Sequence, residues 1–139
     1  MLIRKAFRFQ LDPTAEQEDL FRQTAGCVRL VYNLGLQERR LRYAHQNRRS
    51  TSYQDQANQL PGLKRDYSWL KVPPAQCLQQ ALMDLDQAYR NFFAGTHAYP
   101  KPRRKRRNDS FRIPQDFSVA DCHITLPKFG PVRYHVVSG

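Results

Sequence analysis

The sequence is poor in acidic residues. Only 12 Asp and Glu stand against 23 Lys and Arg in 139 residues, which gives a net charge of +11 and a pI near 10.1. A basic nuclease or transposase would need carboxylates that converge on Mg²⁺, but Asp84 and Asp86 lie two apart on a predicted helix and therefore on nearly opposite faces. We therefore expect no catalytic centre and no cofactor. The positive charge instead favours a polyanionic partner, either nucleic acid or an anionic membrane surface.

Cysteine is also scarce and lacks the spacing of metal ligands. Cys27, Cys77 and Cys122 are dispersed without a C-x-x-C pair, and the four histidines show no i, i+4 pair. We expect no metal site and interpret the cysteines as small buried hydrophobes in a reducing compartment. No hydrophobic run approaches the roughly 18 residues of a membrane span, and the first residues do not resemble a signal peptide. The chain is therefore expected to be cytoplasmic.

Residues 2–11 alternate between apolar and polar side chains, with Lys5 as the exception, which predicts a strand with one basic face. The residues on the opposite, apolar face are Ile3, Phe7, Phe9 and Leu11. A capping box at 14–17 predicts that a helix begins at about Thr14, and Gly26 is expected to kink this helix or end its first segment. Two helices that meet at Gly26 would resemble a helix-turn-helix, although ordinary packing of two amphipathic helices gives the same pattern.

Four further features predict where helices begin and end. Residues 52–55 resemble a second capping box, and the short helix that they begin is expected to stop at Pro61-Gly62. Pro73-Pro74 suits only the first turn of a helix, so the clearest helix of the chain is expected to follow it and to end at Gly95. Apolar residues at helical spacing predict a buried stripe on this helix. The stripe consists of Leu78, Leu82, Leu85, Ala88 and Phe92.

Glutamine is concentrated beside this stripe. Gln79, Met83 and Gln87 share one line of the helix, and Gln76 and Gln80 flank that line. A glutamine amide can pair with the N6 and N7 atoms of adenine in the major groove, so the surface is a candidate for base recognition. A neutral, solvated helix face explains the same residues, since glutamine is a good helix former.

After Gly95 the composition becomes strongly basic. Between residues 101 and 107 every residue except Pro102 is a cation. Such a block repels itself and attracts phosphates, and no acidic residue nearby in the sequence neutralises it. We expect nucleic-acid contact here, with a solvated basic linker as the alternative.

Aromatic and β-branched residues return near the end of the chain and predict short strands. The predicted strands are 111–113, 117–119, 123–126 and 132–137. A lone first strand cannot remain unpaired in water, so it is expected to join them. The predicted fold is α+β, a small β-barrel or sheet interrupted by four inserted helices. Its parts are a first strand at 1–11, a helical lobe at 12–97, a basic linker at 98–109 and the remaining strands at 110–139.

Five sequence blocks, in this order and spacing, resemble the N-terminal third of the TnpB/OrfB transposase family. They are KAFRFQLDPTAEQ, GCVRLVYNLGLQER, LKRDYSWLKVPPAQCLQQALMDLDQAYRNFF, DSFRIPQ and ITLPKFGPVR. The resemblance implies RNA-guided DNA nucleases whose N-terminal part is a wedge β-barrel interrupted by a helical recognition lobe. In the family, the RuvC-like carboxylate site and the zinc ribbon lie C-terminal to the matched region, and this sequence stops at Gly139.

The resemblance therefore implies a truncated or remnant member that binds target DNA, guide RNA or both without a catalytic centre of its own. Two alternatives stay open. The chain is the recognition half of a split nuclease that a separate RuvC-bearing chain completes, or it is a non-functional remnant of an insertion-sequence gene.

Positions in the helical lobe resemble residues with which the family reads DNA. Tyr53 and Gln79 match such positions, and Ala75 and Gln76 lie beside them. Ala75 departs from members that carry a longer polar side chain there, so no particular DNA motif is implied. The predicted nucleic-acid-binding residues are Tyr53, Gln76, Gln79, Lys101, Arg103, Arg104, Lys105, Arg106, Arg107 and Arg112.

Overall fold

The computed structural model describes residues 9–44, 51–105 and 110–136. The elements are β1 (Phe9–Asp12), α1 (Ala15–Ala44), α2 (Tyr53–Ala57), α3 (Leu60–Asp66), a 3₁₀ helix (Ser68–Lys71), α4 (Ala75–Phe93), β2 (Ser118–Ala120), β3 (His123–Leu126) and β4 (Gly130–Val136). The predicted α+β class is confirmed. Within the described ranges, no helix combines the length and the apolar character that a membrane span requires.

The four strands form one antiparallel sheet in the order β1-β4-β3-β2. The first strand pairs with the last, which confirms the expectation that it joins the strands at the end of the chain. Leu11 lies opposite Tyr134, and Ile124 lies opposite Val132. Because directly opposed residues share a face, one face of the sheet is apolar. In the part of the chain that the structure describes, the sheet is open and does not close into a barrel.

The prediction of a strand at 111–113 is wrong. These residues join no sheet ladder within the described chain. Phe111 and Ile113 instead pack, partly buried, against the core formed by the helices. Aromatic and β-branched residues favour strands, but here they pack against helices. Strand propensity alone does not distinguish these two outcomes.

Helix α1 is a single helix of 30 residues. Its start agrees with the predicted capping box, because Thr14 Oγ1 accepts the Gln17 N–H at 3.2 Å and Gln17 Oε1 accepts the Thr14 N–H at 2.9 Å. The helix continues through Gly26, so the predicted end of a segment there is wrong. A glycine inside a helix costs only about 0.5–1 kcal/mol relative to alanine. Burial of the neighbouring Cys27 and Val31 outweighs that cost.

Pro61-Gly62 lies inside a helix and does not stop one. Ser52 caps α2 as predicted, since its Oγ accepts the Asp55 N–H at 3.1 Å, but α2 ends before the proline is reached and α3 contains both residues. Pro61 occupies the first turn of α3, where a missing N–H leaves no helical hydrogen bond unmade. The dipeptide is therefore a helix start.

Helix α4 packs against α1 and carries most of the buried stripe predicted for it. Pro74 precedes its first residue, and Gly95 follows its end with a left-handed φ of +80°, both as expected. Ala88 and Phe92 are only partly buried. The buried residues of α4 are Cys77, Leu78, Ala81, Leu82, Leu85 and Tyr89.

A buried polar network lies beside this helix pair and was not predicted from the sequence. Arg39 of α1 donates through Nε to Gln56 Oε1 at 3.0 Å and through Nη2 to Asp86 Oδ1 at 3.0 Å. Gln56 Nε2 in turn donates to the Gly35 carbonyl at 2.9 Å. The network joins α1, α2 and α4, and it satisfies a guanidinium that would be costly to bury alone.

The turn between β3 and β4 is held against the helices by two side chains. Gln17 of α1 donates through Nε2 to the carbonyls of Phe129, at 3.3 Å, and Pro131, at 2.8 Å. From the turn itself, Lys128 Nζ donates to the carbonyl of Lys71 at 2.6 Å. These bonds fix the end of the sheet relative to α1.

The cysteines fall into two classes. Cys27 and Cys77 are buried, as predicted, and burial raises the pKa of the Cys77 thiol to about 11 and also raises that of Cys27. Cys122 is exposed in the turn between β2 and β3, so the interpretation of all three cysteines as buried hydrophobes is wrong for this residue.

Replacing Gly35 with alanine is predicted to destabilise the fold. A Cβ at this position would lie 2.8 Å from Leu85 Cδ2 and 3.2 Å from Leu82 Cδ2, so either these buried side chains would have to shift or α1 and α4 would have to move apart. We expect a loss of about 1–3 kcal/mol in the free energy of unfolding, the usual cost of overpacking a core, measured by urea denaturation. Gly62→Ala is the control, because the nearest described atom to its Cβ, apart from neighbouring backbone, would be Arg65 Nη2 at an unstrained 3.7 Å. Equal stability of both variants would contradict this prediction.

Candidate nucleic-acid interface

The basic segment 101–105 is fastened to α1 by one asparagine. Asn33 Nδ2 donates to the Arg103 carbonyl at 3.0 Å, and Asn33 Oδ1 accepts the Arg103 N–H at 2.8 Å. Both polar groups of the Asn33 amide thus hydrogen-bond to the backbone of one residue, as the backbone of a neighbouring strand would. At Arg103 the segment is part of the folded structure and not a free linker.

The side chain of Arg103 is held as firmly as its backbone. Its guanidinium carbon lies 3.9 Å from the centre of the Tyr32 ring, within cation–π range, and Nη2 lies 3.7 Å from Asp84 Oδ2. Burial raises the pKa of Tyr32, an effect that Arg103 opposes and Asp84 reinforces. The expectation that no acidic residue neutralises the basic block is therefore wrong for Arg103, because Asp84 reaches it from α4.

Arg112 shares the same carboxylate. Its Nη2 lies 3.5 Å from Asp84 Oδ1, and its side chain is 69% exposed. Arg103 and Arg112, two of the predicted nucleic-acid-binding residues, therefore converge on Asp84. A phosphate that bound either guanidinium would compete with a carboxylate already in place.

The other described cations of the segment differ from Arg103, because they are exposed to solvent. Lys101, Arg104 and Lys105 are exposed and form no ion pair with any described residue. Lys105 lines a groove together with Arg22 and Arg29 of α1, and Glu18, which pairs with Arg22 at 3.3 Å, lies in the same groove. The predicted site residues Arg106 and Arg107 lie outside the described residues.

The glutamines of α4 divide into structural and exposed members. Gln76 Nε2 donates to the Gln115 carbonyl at 2.8 Å, and Gln76 Oε1 accepts the Gln115 N–H at 3.0 Å, so this side chain holds the loop that precedes β2. Gln80 donates to Asp84 Oδ1 at 3.2 Å. Gln79 is exposed and hydrogen-bonds to none of the described residues.

The exposed line of α4 continues from Gln79 through Met83 to Gln87, as the helical spacing predicted. Ala75 begins the helix and is exposed as well. Tyr53 stands at the first residue of α2, but it is partly buried and packs against the helical core, so only part of its side chain is accessible to a partner.

Two residues that organise this surface were missed by sequence analysis, Asn33 and Asp84. Asn33 carries one available signal: asparagine has a low helix propensity, so its place in the middle of a long helix calls for a side-chain role. Asp84 offers no comparable signal, because its partners lie far away in the sequence. Within residues 9–44, 51–105 and 110–136, no group of three or more His, Cys, Asp or Glu side chains could hold a metal ion.

Comparison with known proteins shows a family domain and two relatives to which the chain is similar. Residues 1–48 match the helix-turn-helix domain of OrfB proteins; the part of this stretch that the structure describes holds β1 and the single helix α1. The chain is 38% identical over 134 residues to InsQ of Escherichia coli (strain K12), which is named as an RNA-guided DNA endonuclease, and 35% identical over 130 residues to a protein of Streptomyces pristinaespiralis with the same designation.

These alignments cover 94% and 91% of this chain but only 33% and 32% of the relatives. The chain therefore spans about a third of the length of the curated relatives it matches. The five sequence blocks, the helix-turn-helix match and the two alignments agree with one another. The chain thus carries the helix-turn-helix domain of OrfB proteins at residues 1–48 and is homologous, over most of its own length, to relatives named as RNA-guided DNA endonucleases.

Proposed function

We propose that this chain binds nucleic acid through α1 and the basic segment 101–105, and that it contributes no catalytic centre of its own. The partner is target DNA, guide RNA or both, since the relatives are named as RNA-guided DNA endonucleases. The observation that carries the proposal is the pair of hydrogen bonds between Asn33 and the Arg103 backbone. They hold a run of cations in a fixed place on the surface, where phosphates can be met without first ordering a loop.

The distribution of ion pairs supports this surface as the phosphate-binding one. Asp84 and Asp86, both only 17–23% exposed, form ion pairs with arginines from α1, from α4 and from the chain after α4. Asp84 and Asp86 thus form their ion pairs in the interior or at its edge. Lys101, Arg104 and Lys105 are exposed to solvent and pair with no described carboxylate. Cations in this position release counterions from a phosphate backbone when they bind it.

Base recognition is proposed for a separate surface, the exposed line of α4. Gln79 is available there, whereas Gln76 is occupied by Gln115. We therefore propose that Gln79 contacts a base and that Gln76 acts by positioning the loop before β2. Any contribution from Tyr53 is restricted to the accessible part of its ring and hydroxyl.

A second candidate function is the recognition half of a nuclease whose catalytic domain lies on another chain. It is favoured by apolar side chains left accessible on and beside the sheet, since Leu11, Phe117 and Val119 are 37%, 47% and 56% exposed. Exposed apolar surface of this kind is typical of a protein contact. Light scattering of a mixture with a RuvC-bearing chain from the same locus tests it, and unchanged masses would exclude it.

Replacing Asn33 with alanine is predicted to release the basic segment. Two hydrogen bonds to the Arg103 backbone would be lost, each worth about 0.5–1.5 kcal/mol, so local opening should become about tenfold more frequent. Limited trypsin digestion followed by mass spectrometry should show correspondingly faster cleavage after residues 103–105. Gln87→Ala, which removes an exposed amide bonded only within α4 among the described residues, is the control. Cleavage rates equal to those of the native chain would refute the clamp.

The double variant Arg104→Ala/Lys105→Ala is predicted to weaken binding to all sequences alike. Loss of two phosphate contacts should reduce the slope of log K against log salt on duplex DNA by about 2, measured by fluorescence anisotropy. The matched control is Arg65→Ala/Arg133→Ala, which removes the same charge from exposed positions on α3 and β4. If both double variants lower the slope equally, the effect belongs to net charge and not to this surface.

Replacing Gln79 with alanine is predicted to reduce sequence preference without harming the fold. Loss of a bidentate base contact should cost about 1–3 kcal/mol on a preferred duplex and much less on random DNA. Selection from a randomised duplex pool with native protein, Gln79→Ala and the control Gln87→Ala measures this. Identical preferences in all three selections would remove Gln79 from the proposed recognition surface.

A further inference from the structure

Trp69 is an exposed aromatic residue in a firmly held segment. Its side chain is 48% exposed, although the 3₁₀ helix that carries it is anchored by Leu70, which is fully buried. Cys27 Sγ of α1 also donates to the Trp69 carbonyl at 3.7 Å. Tyr67, 43% exposed, places its ring 5.9 Å from that of Trp69. Large aromatic surface is thus kept in solvent on a rigid support.

Trp69 forms one wall of a groove of about 440 Å³ on α1. Gly26 and Cys27 lie along the helix in this groove, and Arg29 stands between it and the second groove, which Lys105 lines. The aromatic wall is therefore continuous with the cationic surface proposed to bind phosphates.

Among the described residues, no contact requires a glycine at position 26. Apart from neighbouring backbone, the nearest described atom to a Cβ at Gly26 would be Arg29 Nη2, at 3.7 Å and at the end of a flexible side chain. Gly35 on the same helix is different, because its Cβ would collide with Leu85. Alanine at position 26 would also stabilise the helix. What the missing side chain provides is bare helix backbone beside Trp69, which allows a flat group to approach closely.

We infer that this groove binds one unpaired nucleotide, whose base stacks on Trp69 above the bare backbone at Gly26 and whose phosphate lies toward Arg29. The inference rests on the proposed function and deepens it. An unpaired base suits the groove because both faces of a paired base are covered by its neighbours in a duplex, whereas an unstacked base offers a face to an aromatic ring. Single-stranded RNA and single-stranded DNA share this chemistry.

The chain offers a direct probe, because Trp69 is its single tryptophan. Oligonucleotides of about ten nucleotides, the scale of single-strand sites, are titrated as single-stranded RNA, single-stranded DNA and duplex DNA. Trp69 fluorescence reports on the groove, and anisotropy of a label on the oligonucleotide reports on binding as a whole. We expect strong quenching by at least one single strand, little quenching by the duplex, and a preference between RNA and DNA that identifies the source of the nucleotide.

Two variants test the groove by different routes. Trp69→Leu should weaken single-strand binding about 5- to 100-fold, the usual range for loss of one stacking contact. Gly26→Ala should reduce both quenching and affinity while the melting temperature stays equal or rises, a combination that a merely structural role would not produce. Gly62→Ala, a glycine with the same 3.7 Å clearance on α3, is the matched control and should bind like the native chain.

The outcomes separate this inference from the function on which it rests. Anisotropy that rises without quenching, or Gly26→Ala binding that matches Gly62→Ala, would overturn the nucleotide site and leave nucleic-acid binding standing. Anisotropy that does not rise with any oligonucleotide at low salt would overturn both. Quenching by the duplex equal to that by single strands would overturn the assignment to an unpaired base.

Discussion

The contact between α1 and α4 is the constraint on which the other features depend. At Gly35 the helices come so close that no Cβ fits between the backbone and Leu85. This approach brings Tyr32 and Asn33 on α1 and Asp84 on α4 to the same side of the helix pair, where they receive Arg103. The proposed interface is therefore a product of helix packing, and a disturbance of the core would reach it without any change in its own residues.

The same helix pair explains how a chain with so few acidic residues arranges its charge. Arg39 is buried and needs a carboxylate, which Asp86 supplies together with the amide of Gln56. Asp84 serves two arginines at the edge of the core. Because Asp84 neutralises Arg103, the positive field beside the basic segment comes from Lys101, Arg104 and Lys105, which form no ion pair with any described residue.

The sequence predicted those features that depend on neighbouring residues. Local backbone groups determine the capping boxes at Thr14 and Ser52 and the left-handed conformation of Gly95. A short stretch of sequence is therefore enough to predict them. The pairing of β1 with the last strands was also predictable, because the edge of a strand must find a partner and the other predicted strands lie at the end of the chain. The prediction failed at Gly26 and at Phe111, where tertiary packing decides the structure and outweighs the local preference.

The candidate site was less predictable than the fold, for the same physical reason. Charge in the block 101–107 is visible in the sequence, but the partners that hold Arg103 lie on other helices, Asn33 of α1 at a distance of 70 positions and Asp84 on α4. Neutralisation of Arg103 by Asp84 and capture of Gln76 by Gln115 are contacts of this kind. The exposed position of Gln79 was predictable, because helical geometry alone determines which face of α4 a residue occupies. The role of an exposed side chain depends on the binding partner, which the sequence does not contain.

Pairing of β1 with β4 has a consequence for how the chain reaches its native state. Asp12 and His135, which contact each other across this pair, are 123 positions apart. On the ribosome, β1 must therefore wait until β4 has emerged before the hydrogen-bonding groups on its paired edge are satisfied. Helices form early from local contacts, and Gln17 sits at the base of α1, where it receives the β3–β4 turn. The sheet is thus the last part to assemble, and its unpaired first strand is the segment most open to pairing with another nascent chain.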